Sequence, residues 1–288
     1  MNYSPLRYPG GKAKLAPYIS HIIECSERDI DTYIEPFAGG AGVALDLLLS
    51  NKVRNIIIND YDKAIYSFWR ALIEDTSELI NRILETEVTF EEWKRQKAIY
   101  VNKSNKYSVD LAFATFFLNR TNRSGILNAG PIGGQKQKGN YLINARYNKE
   151  GLIKRIKRIS EQKKRIKVYN KEVRAFINQV ISKHGENAFV YFDPPYFVKG
   201  NRLYKNSLTF KDHKEILECI EENVLCDWIV TYDSVDEIKA LYRDKYFRTY
   251  EFLYSITKSN KKKEIIIFKN KNICPMIDDK DIKINFVD

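Results

Sequence analysis

Asp193, Pro194, Pro195 and Tyr196 put a carboxylate, two conformationally fixed residues and an aromatic ring into four consecutive positions. Such a set can accept hydrogen bonds and hold a flat ring, provided that something aims it at a cleft. The preceding run Ala188-Phe189-Val190-Tyr191-Phe192 is rich in β-branched and aromatic residues and reads as a buried strand. Two prolines cannot extend that strand inside a sheet, so the four residues fall at its carboxyl end. In an open α/β sheet that edge is where ligands bind. A surface turn with a solvated Asp is the competing reading of the four residues alone.

A second chemistry-bearing group lies near the start of the chain. Thr32-Tyr33-Ile34 leads as a short strand into Glu35-Pro36-Phe37-Ala38-Gly39-Gly40-Ala41-Gly42, and the spacing predicts an apolar helix over Val43 to Leu49. Strand, glycine turn and helix let a cofactor lie against bare backbone at a helix N-terminus. The next strand, Asn55 to Asn59, ends at Asp60. That is about 20 residues past the glycines, where a dinucleotide-binding unit places its ribose-binding acid. Glu35 would repel a pyrophosphate, so a cationic or uncharged cofactor tail fits better than NAD. Pro9-Gly10-Gly11-Lys12 is a flexible loop feeding a helix, with Tyr8 and Lys12 beside any ligand it approaches. It lacks the Gly-x-x-x-x-Gly-Lys-Ser/Thr spacing of a nucleoside-triphosphate loop.

The 288 residues include 48 Lys+Arg against 37 Asp+Glu, a net charge of +11 that favours a polyanionic partner, nucleic acid first. Cys25, Cys219, Cys226 and Cys274 show no Cys-x-x-Cys spacing, and His21, His184 and His213 cluster with none of them. A reduced, metal-free protein is expected. No apolar run reaches the ~18 residues of a membrane span, and no signal-peptide pattern opens the chain, so the expected location is cytoplasmic.

Arg-Tyr-Pro-Gly-Gly-Lys (7 to 12), Glu-Pro-Phe-Ala-Gly-Gly-Ala-Gly (35 to 42), Asn59-Asp60 and Asp-Pro-Pro-Tyr (193 to 196), in that order, resemble the Dam-type DNA adenine N6-methyltransferases. The long gap before Asp-Pro-Pro-Tyr is similar to the alpha order of amino-methyltransferases, in which the target-recognition segment is inserted there. The resemblance spans nearly the whole chain. It implies an α/β fold: a Rossmann-like, S-adenosylmethionine-dependent methyltransferase sheet of seven strands, mostly parallel, with a closing antiparallel hairpin. It also implies a mostly helical target-recognition domain inserted over 71–166, between catalytic parts 1–70 and 167–288. The positive sulfonium of S-adenosylmethionine suits Glu35. The resemblance assigns cofactor contacts to Tyr8, Lys12, Asp60 and Asp193, with Phe37 and the turn through Gly39, Gly40 and Gly42 lining the site. Family members often carry Trp where Tyr8 stands.

The expected chemistry follows from the acceptor. An adenine amino group is a poor nucleophile because its lone pair is delocalised into the ring. Accepting one amino hydrogen at the Asp193 carboxylate and the other at the Pro194 carbonyl favours a more pyramidal, more nucleophilic nitrogen. Tyr196 offers a face for a flipped base, and such stacking contributes ~1–3 kcal/mol. Cytosine N4 or an adenine in RNA would be served by the same groups. A non-catalytic DNA-binding relic of the fold is the alternative from a different class.

Between the two motif groups, helical periodicity runs from Tyr66 to Tyr100, and Val109 to Leu118 reads as a core helix. Asn119, Arg120, Asn122 and Arg123, then the loop 130–141 with Lys136 and Lys138, supply forked donors, amides and flexible glycines for phosphate and base-edge contacts. Lys199 and Tyr204, in the polar loop after Tyr196, are expected to join them on double-stranded DNA. A mobile solvated loop is the alternative for this stretch. GATC-reading members have an aromatic-Asn pair where Arg123-Ser124 stands here, so GATC specificity does not carry over. The basic helix around Leu152 to Ile159 either follows phosphates or is a solvated face. Ile166 to Tyr169 should return as a strand, and Val173 to Ile181 as a helix. Asp212 with Glu215 resembles a capping box, Trp228 to Tyr232 a strand, and Tyr250 to Ile256 with Glu264 to Phe268 the closing hairpin. A monomer is expected, with a dimer on DNA as the alternative, in a bacterial or phage-encoded, nucleoid-associated protein. The recognition site and the presence of a restriction partner are left open.

Overall fold

The computed structural model describes residues 3–8, 11–104, 106–197, 208–252, 263–275 and 284–287. Eight strands form one sheet: β1 (Thr32–Glu35), β2 (Asn55–Asn59), β3 (Ile166–Tyr169), β4 (Ala188–Phe192), β5 (Asp227–Asp233), β6 (Tyr246–Phe252), β7 (Lys263–Phe268) and β8 (Ile284–Phe286). Their order is β3-β2-β1-β4-β5-β7-β6-β8. The first five in that order pair in parallel, and β7, β6 and β8 add on by antiparallel pairing. β1 and β4 are buried throughout, as parallel strands covered on both faces must be. The chain winds outward from β1 to β3 and then restarts at β4, so β1 and β4 flank the topological switch point where open α/β sheets bind ligands.

Alternation divides the sheet residues between two cores. Tyr33, Ile56, Ile58, Phe189, Tyr191 and Ile266 face one core, while Ile34, Ile57, Val190, Phe192 and Val230 face the other. The first core is closed by helices α1 (Ala16–Glu24), α2 (Gly42–Leu49), α3 (Lys63–Glu74), α4 (Thr76–Glu85), α6 (Val109–Thr121) and α7 (Lys149–Ser160). The second is closed by α8 (Val173–Gln179), α9 (Phe210–Asn223) and α10 (Asp236–Leu241). Helix α5 (Phe90–Val101) packs on α6 from outside. Nearly every side chain of α6 is buried, so it is the hub of the helical segment rather than a surface helix. Leu79 and Ile83 of α4, Phe116 of α6 and Ile156 of α7 share one apolar cluster with Ile56 and Ile58 of the sheet. The helices between β2 and β3 therefore extend the main core. The 70/71 boundary expected from the sequence falls inside α3, and the 166/167 boundary inside β3.

Three details differ from expectation. An eighth strand, β8, covers the outer edge of β6, where Ile284 is buried and Phe286 packs against Tyr18 and Tyr250. Covering that edge removes a row of unpaired backbone groups. The capping box of α9 is built one turn earlier than Asp212 and Glu215: Thr209 is the N-cap, and Asp212 reaches back to its backbone N–H. The closing hairpin pairs Tyr246–Phe252 with Lys263–Phe268, so its first strand starts earlier than expected, and residues 253–262 lie outside the described residues. No helix among the described residues is long and apolar enough to cross a membrane.

Candidate active site

Because β1 and β4 are neighbours, Glu35 at the end of one and Asp193 just past the end of the other open onto the same sheet edge. There a cavity of about 530 Å³ runs from the glycine turn to Asp193-Pro194-Pro195-Tyr196. Its size is that of a small-molecule cofactor site. Phe37, Gly40, Gly42 and Asp60 line it beside Glu35, and Tyr8 and Lys12 reach it from the N-terminal segment.

Gly39 is the exception among the expected cofactor residues: it shapes the turn behind the lining. Its φ is +47°, and a Cβ there would lie 2.7 Å from the Tyr8 ring, so no side chain fits. Its N–H donates to Asp60 Oδ2 at 2.8 Å, and its carbonyl accepts from Trp69 Nε1 at 2.9 Å. Asp60 Oδ1 accepts from the Asp62 N–H at 2.8 Å. Each Asp60 oxygen thus keeps a further lone pair for a ligand hydroxyl. Burial and the neighbouring Asp62 push the Asp60 carboxyl up to about 7.

Glu35 lies under the start of α2, a helix whose N-cap residue Ala41 supplies no side-chain bond. Glu35 Oε1 accepts from the Ala44 N–H at 3.1 Å and from the Tyr33 hydroxyl at 3.0 Å. Burial pushes its carboxyl up to about 8 against those two bonds, with Asp193 adding to the rise. A buried acid short of positive charge fits a cationic ligand beside it.

The other end of the cavity is an acceptor wall. Asp193 Oδ1 accepts from Thr231 Oγ1 at 2.7 Å, and Thr231 in turn bonds the Tyr191 hydroxyl at 2.8 Å. Asp193 Oδ2 and the Pro194 carbonyl have no protein donor among the described residues. Burial pushes Asp193 up to about 6, Lys12 and the Thr231 bond oppose this, and Glu264 adds to it. Lys12 Nζ sits 3.9 Å from Asp193 and donates to Tyr196 at 2.7 Å and Glu264 at 2.8 Å. Lys12, expected as a cofactor contact, is therefore tied to Asp-Pro-Pro-Tyr.

Thr231 and Glu264 were not among the residues singled out from the sequence. The signal was alternation: Thr231 shares the parity of Ile229, and Glu264 that of Ile266 and Phe268, all of which face the first core. Each is a polar residue at an inward strand position next to the acceptor wall.

The expected DNA-contact residues separate into two groups. Asn119 is buried; its Oδ1 accepts from the Arg7 N–H, and its Nδ2 donates to the carbonyls of Arg7 and Gly125. Asn122 is buried too, accepting from Trp93 Nε1 and donating to the carbonyls of Ile126 and Leu127. Neither offers a free edge to DNA, which corrects both assignments. Gln137 likewise closes its own loop through Ile132, Gly134 and Ile143. Arg123, Lys136 and Lys138 are exposed. Arg120 packs with its Nε on the Arg146 carbonyl, and burial together with Arg7, Arg155 and Arg146 pulls its guanidinium down to about 10. Of these cationic neighbours Arg7 belongs to the 7–12 motif and Arg155 to the basic helix read from the sequence; Arg146 was not singled out. Gly125 holds the two segments together: its φ is +77°, and a Cβ would lie 2.3 Å from the Arg7 carbonyl oxygen. Lys199 and Tyr204 lie outside the described residues. No group of three or more metal-ligating side chains occurs among the described residues.

The strand order, switch-point cavity and antiparallel closing hairpin define a Rossmann-like methyltransferase fold. The chain belongs to the D12 class of N6 adenine-specific DNA methyltransferases, whose family profile matches residues 8–265. It is 26% identical over 207 residues to the type II methyltransferase M.MjaIII of Methanocaldococcus jannaschii, covering 66% of this chain and 68% of that one. It is 24% identical to the modification methylase StsI of Streptococcus sanguinis over 73% of this chain, a stretch that spans 31% of the relative. Among solved structures, the rRNA methyltransferase AviRa from Streptomyces viridochromogenes aligns over 92% of this chain and 88% of its own, at 14% identity and a TM-score of 0.41.

Proposed function

We propose that this adenine-specific DNA methyltransferase takes its methyl group from S-adenosylmethionine and acts on the N6 of an adenine flipped out of duplex DNA. The observation that carries the reading is a pair of acceptors with no protein donor among the described residues, Asp193 Oδ2 and the Pro194 carbonyl, at one end of a cavity whose other end is the glycine turn. When bound, the cofactor supplies an electrophilic methyl on a positive sulfonium. Glu35 favours that charge, and the Asp60 carboxylate is placed for ribose hydroxyls. Asp193 and Pro194 each accept one amino hydrogen and so hold the nitrogen with its lone pair toward the methyl. Tyr196, which lines the cavity, presents its ring to the flipped base. Arg7, Arg120, Arg146 and Arg155 form a cationic cluster, and Arg123, Lys136 and Lys138 are exposed in the same stretch of chain. Forked guanidinium groups in such a cluster suit phosphate oxygens and base edges. The segment from 71 to 166 then serves as the target-recognition part of the molecule.

Transfer of a radiolabelled methyl group to unmethylated duplex DNA, followed by nucleoside analysis, tests the reading. N6-methyladenine from duplex DNA is expected. N4-methylcytosine, preferential labelling of single-stranded RNA, or no transfer by folded protein would overturn it.

A further inference from the structure

Glu264, the second residue of β7, is buried and lies behind the cavity lining, in contact with Tyr196 and Lys12 rather than with the cavity itself. Both of its oxygens are engaged. Oε1 accepts from the Tyr196 hydroxyl at 2.7 Å; Oε2 accepts from Lys12 Nζ at 2.8 Å and from the Tyr250 hydroxyl at 2.6 Å. Burial alone would raise this carboxyl, but Lys12 and the bonds from Lys12, Tyr250 and Tyr196 hold it below the usual carboxylate range. Glu264 is therefore an anchored negative charge.

Its partners are the informative part. The Tyr196 hydroxyl donates to Glu264 while accepting from Lys12, and the Lys12 ammonium lies 4.8 Å from the centroid of the same ring. A phenol fixed through both its proton and its lone pair has its ring plane set from the hydroxyl end. Tyr196 follows two prolines and is only half-buried, and because a phenol O–H prefers the ring plane, this anchor helps to set where its face points. Glu264 also draws Lys12 to 2.8 Å while Asp193 stands at 3.9 Å. The ammonium is thereby kept off the carboxylate oxygens that the target amino group needs.

We infer that Glu264 is a positioning residue for methyl transfer: it fixes the Tyr196 ring through its hydroxyl and holds the Lys12 ammonium away from Asp193. The inference rests on the reading of Asp193 and Tyr196 proposed above. Removing the carboxylate should leave cofactor binding in place and slow the chemical step.

The test compares wild type, Glu264→Gln, Tyr196→Phe and the double variant on a duplex carrying the site mapped from the wild-type product. Single-turnover rates, the KM for cofactor, thermal midpoints, and the anisotropy of 2-aminopurine at the target base in a complex with a non-reactive cofactor analogue are measured. Glu264→Gln and Tyr196→Phe should each lower the single-turnover rate on the order of 10- to 100-fold, with KM for cofactor within about twofold of wild type. Both should lower the 2-aminopurine anisotropy, because the base loses a fixed stacking face. The double variant should be no slower than the slower single variant, since both act through one hydroxyl and its partners. A wild-type rate and anisotropy in folded Glu264→Gln, or losses that multiply in the double variant, would overturn the inference. Should Glu264→Gln fail to fold, Tyr196→Phe decides, because it deletes only the anchored hydroxyl; wild-type behaviour there overturns the anchor. Absence of adenine methylation by the wild-type protein would instead remove the underlying reading.

Discussion

The strand-end cavity and the segment from Asn119 to Arg146 are both rich in polar side chains, and they use them in opposite directions. At the cavity, Asp60 and Asp193 each accept bonds from the protein and keep acceptor capacity toward the empty space. In the helical segment, Asn119, Asn122 and Gln137 turn inward and bond backbone groups that the turns leave without partners. An amide in an irregular segment first satisfies its own loop, because an unpaired buried peptide group costs about 1–3 kcal/mol. What remains for a partner in that segment is the guanidinium and ammonium groups: Arg120 spends only its Nε on the Arg146 carbonyl, and Arg123, Lys136 and Lys138 are exposed.

Five substitutions can break or sharpen this contrast. Asp193→Ala should lower methyl transfer about 1000-fold or more, since it removes an acceptor aimed at the reacting nitrogen. Its thermal midpoint should hold or rise, because a partly buried carboxylate raised by desolvation is removed; residual transfer near wild type in the folded variant would end the assignment. Asp60→Ala should weaken S-adenosylmethionine by about 10- to 100-fold in calorimetry, the worth of a charged acceptor lost from ribose hydroxyls. An unchanged affinity would take Asp60 out of the site.

Asn119→Ala should behave differently from either. It strips partners from the Arg7 N–H and two carbonyls and should cost about 2–4 kcal/mol of stability in denaturant unfolding. Arg120→Ala should instead weaken binding to all duplexes and reduce the salt slope by about 1. Were Asn119→Ala to be stable and selectively impaired on cognate DNA, the contrast between the two regions would fail.

The smallest expected effect concerns Glu35, whose carboxyl is raised to about 8 by burial. Between the ordinary carboxylate range and that value the folded chain holds a proton that the unfolded chain has lost. This contribution to stability therefore falls as pH rises through the window. Glu35→Gln, which keeps the acceptor oxygen, should be more stable than wild type by a margin that grows from about pH 5 to about pH 8. It should also bind the cationic cofactor less tightly. A constant margin across that range would place the charge elsewhere.

The legible parts of the molecule are those where one short stretch carries both the element and its chemistry. β1 with Glu35 and the glycine turn, β2 with Asp60, and β4 with Asp193 are each an apolar strand followed at once by its functional residue. Their order along the chain is enough to place them at one sheet edge. Glu264 and Thr231 were not legible, because only the lateral order β4-β5-β7 brings them beside Asp193 and Tyr196. Their inward parity was readable, but their neighbours were not. Asn119 and Asn122 were misread for a related reason. They sit at the end of a helix buried on all sides, so a polar residue type that would face solvent on an amphipathic helix faces backbone here.

The central claim is that an ionised Asp193 accepts from the target amino group. Burial places its carboxyl at about 6, above the ordinary range. The direct measurement is kcat/KM for duplex DNA as a function of pH at saturating cofactor, which removes the titrations of Asp60 and Glu35 from the profile. A protonated Asp193 is a far weaker acceptor and turns an O–H donor toward the amino group, so the rate should fall about tenfold per unit below a midpoint of about 6 and level off above it. A rate that stays flat from about pH 5 to about pH 8 in folded enzyme would contradict the account.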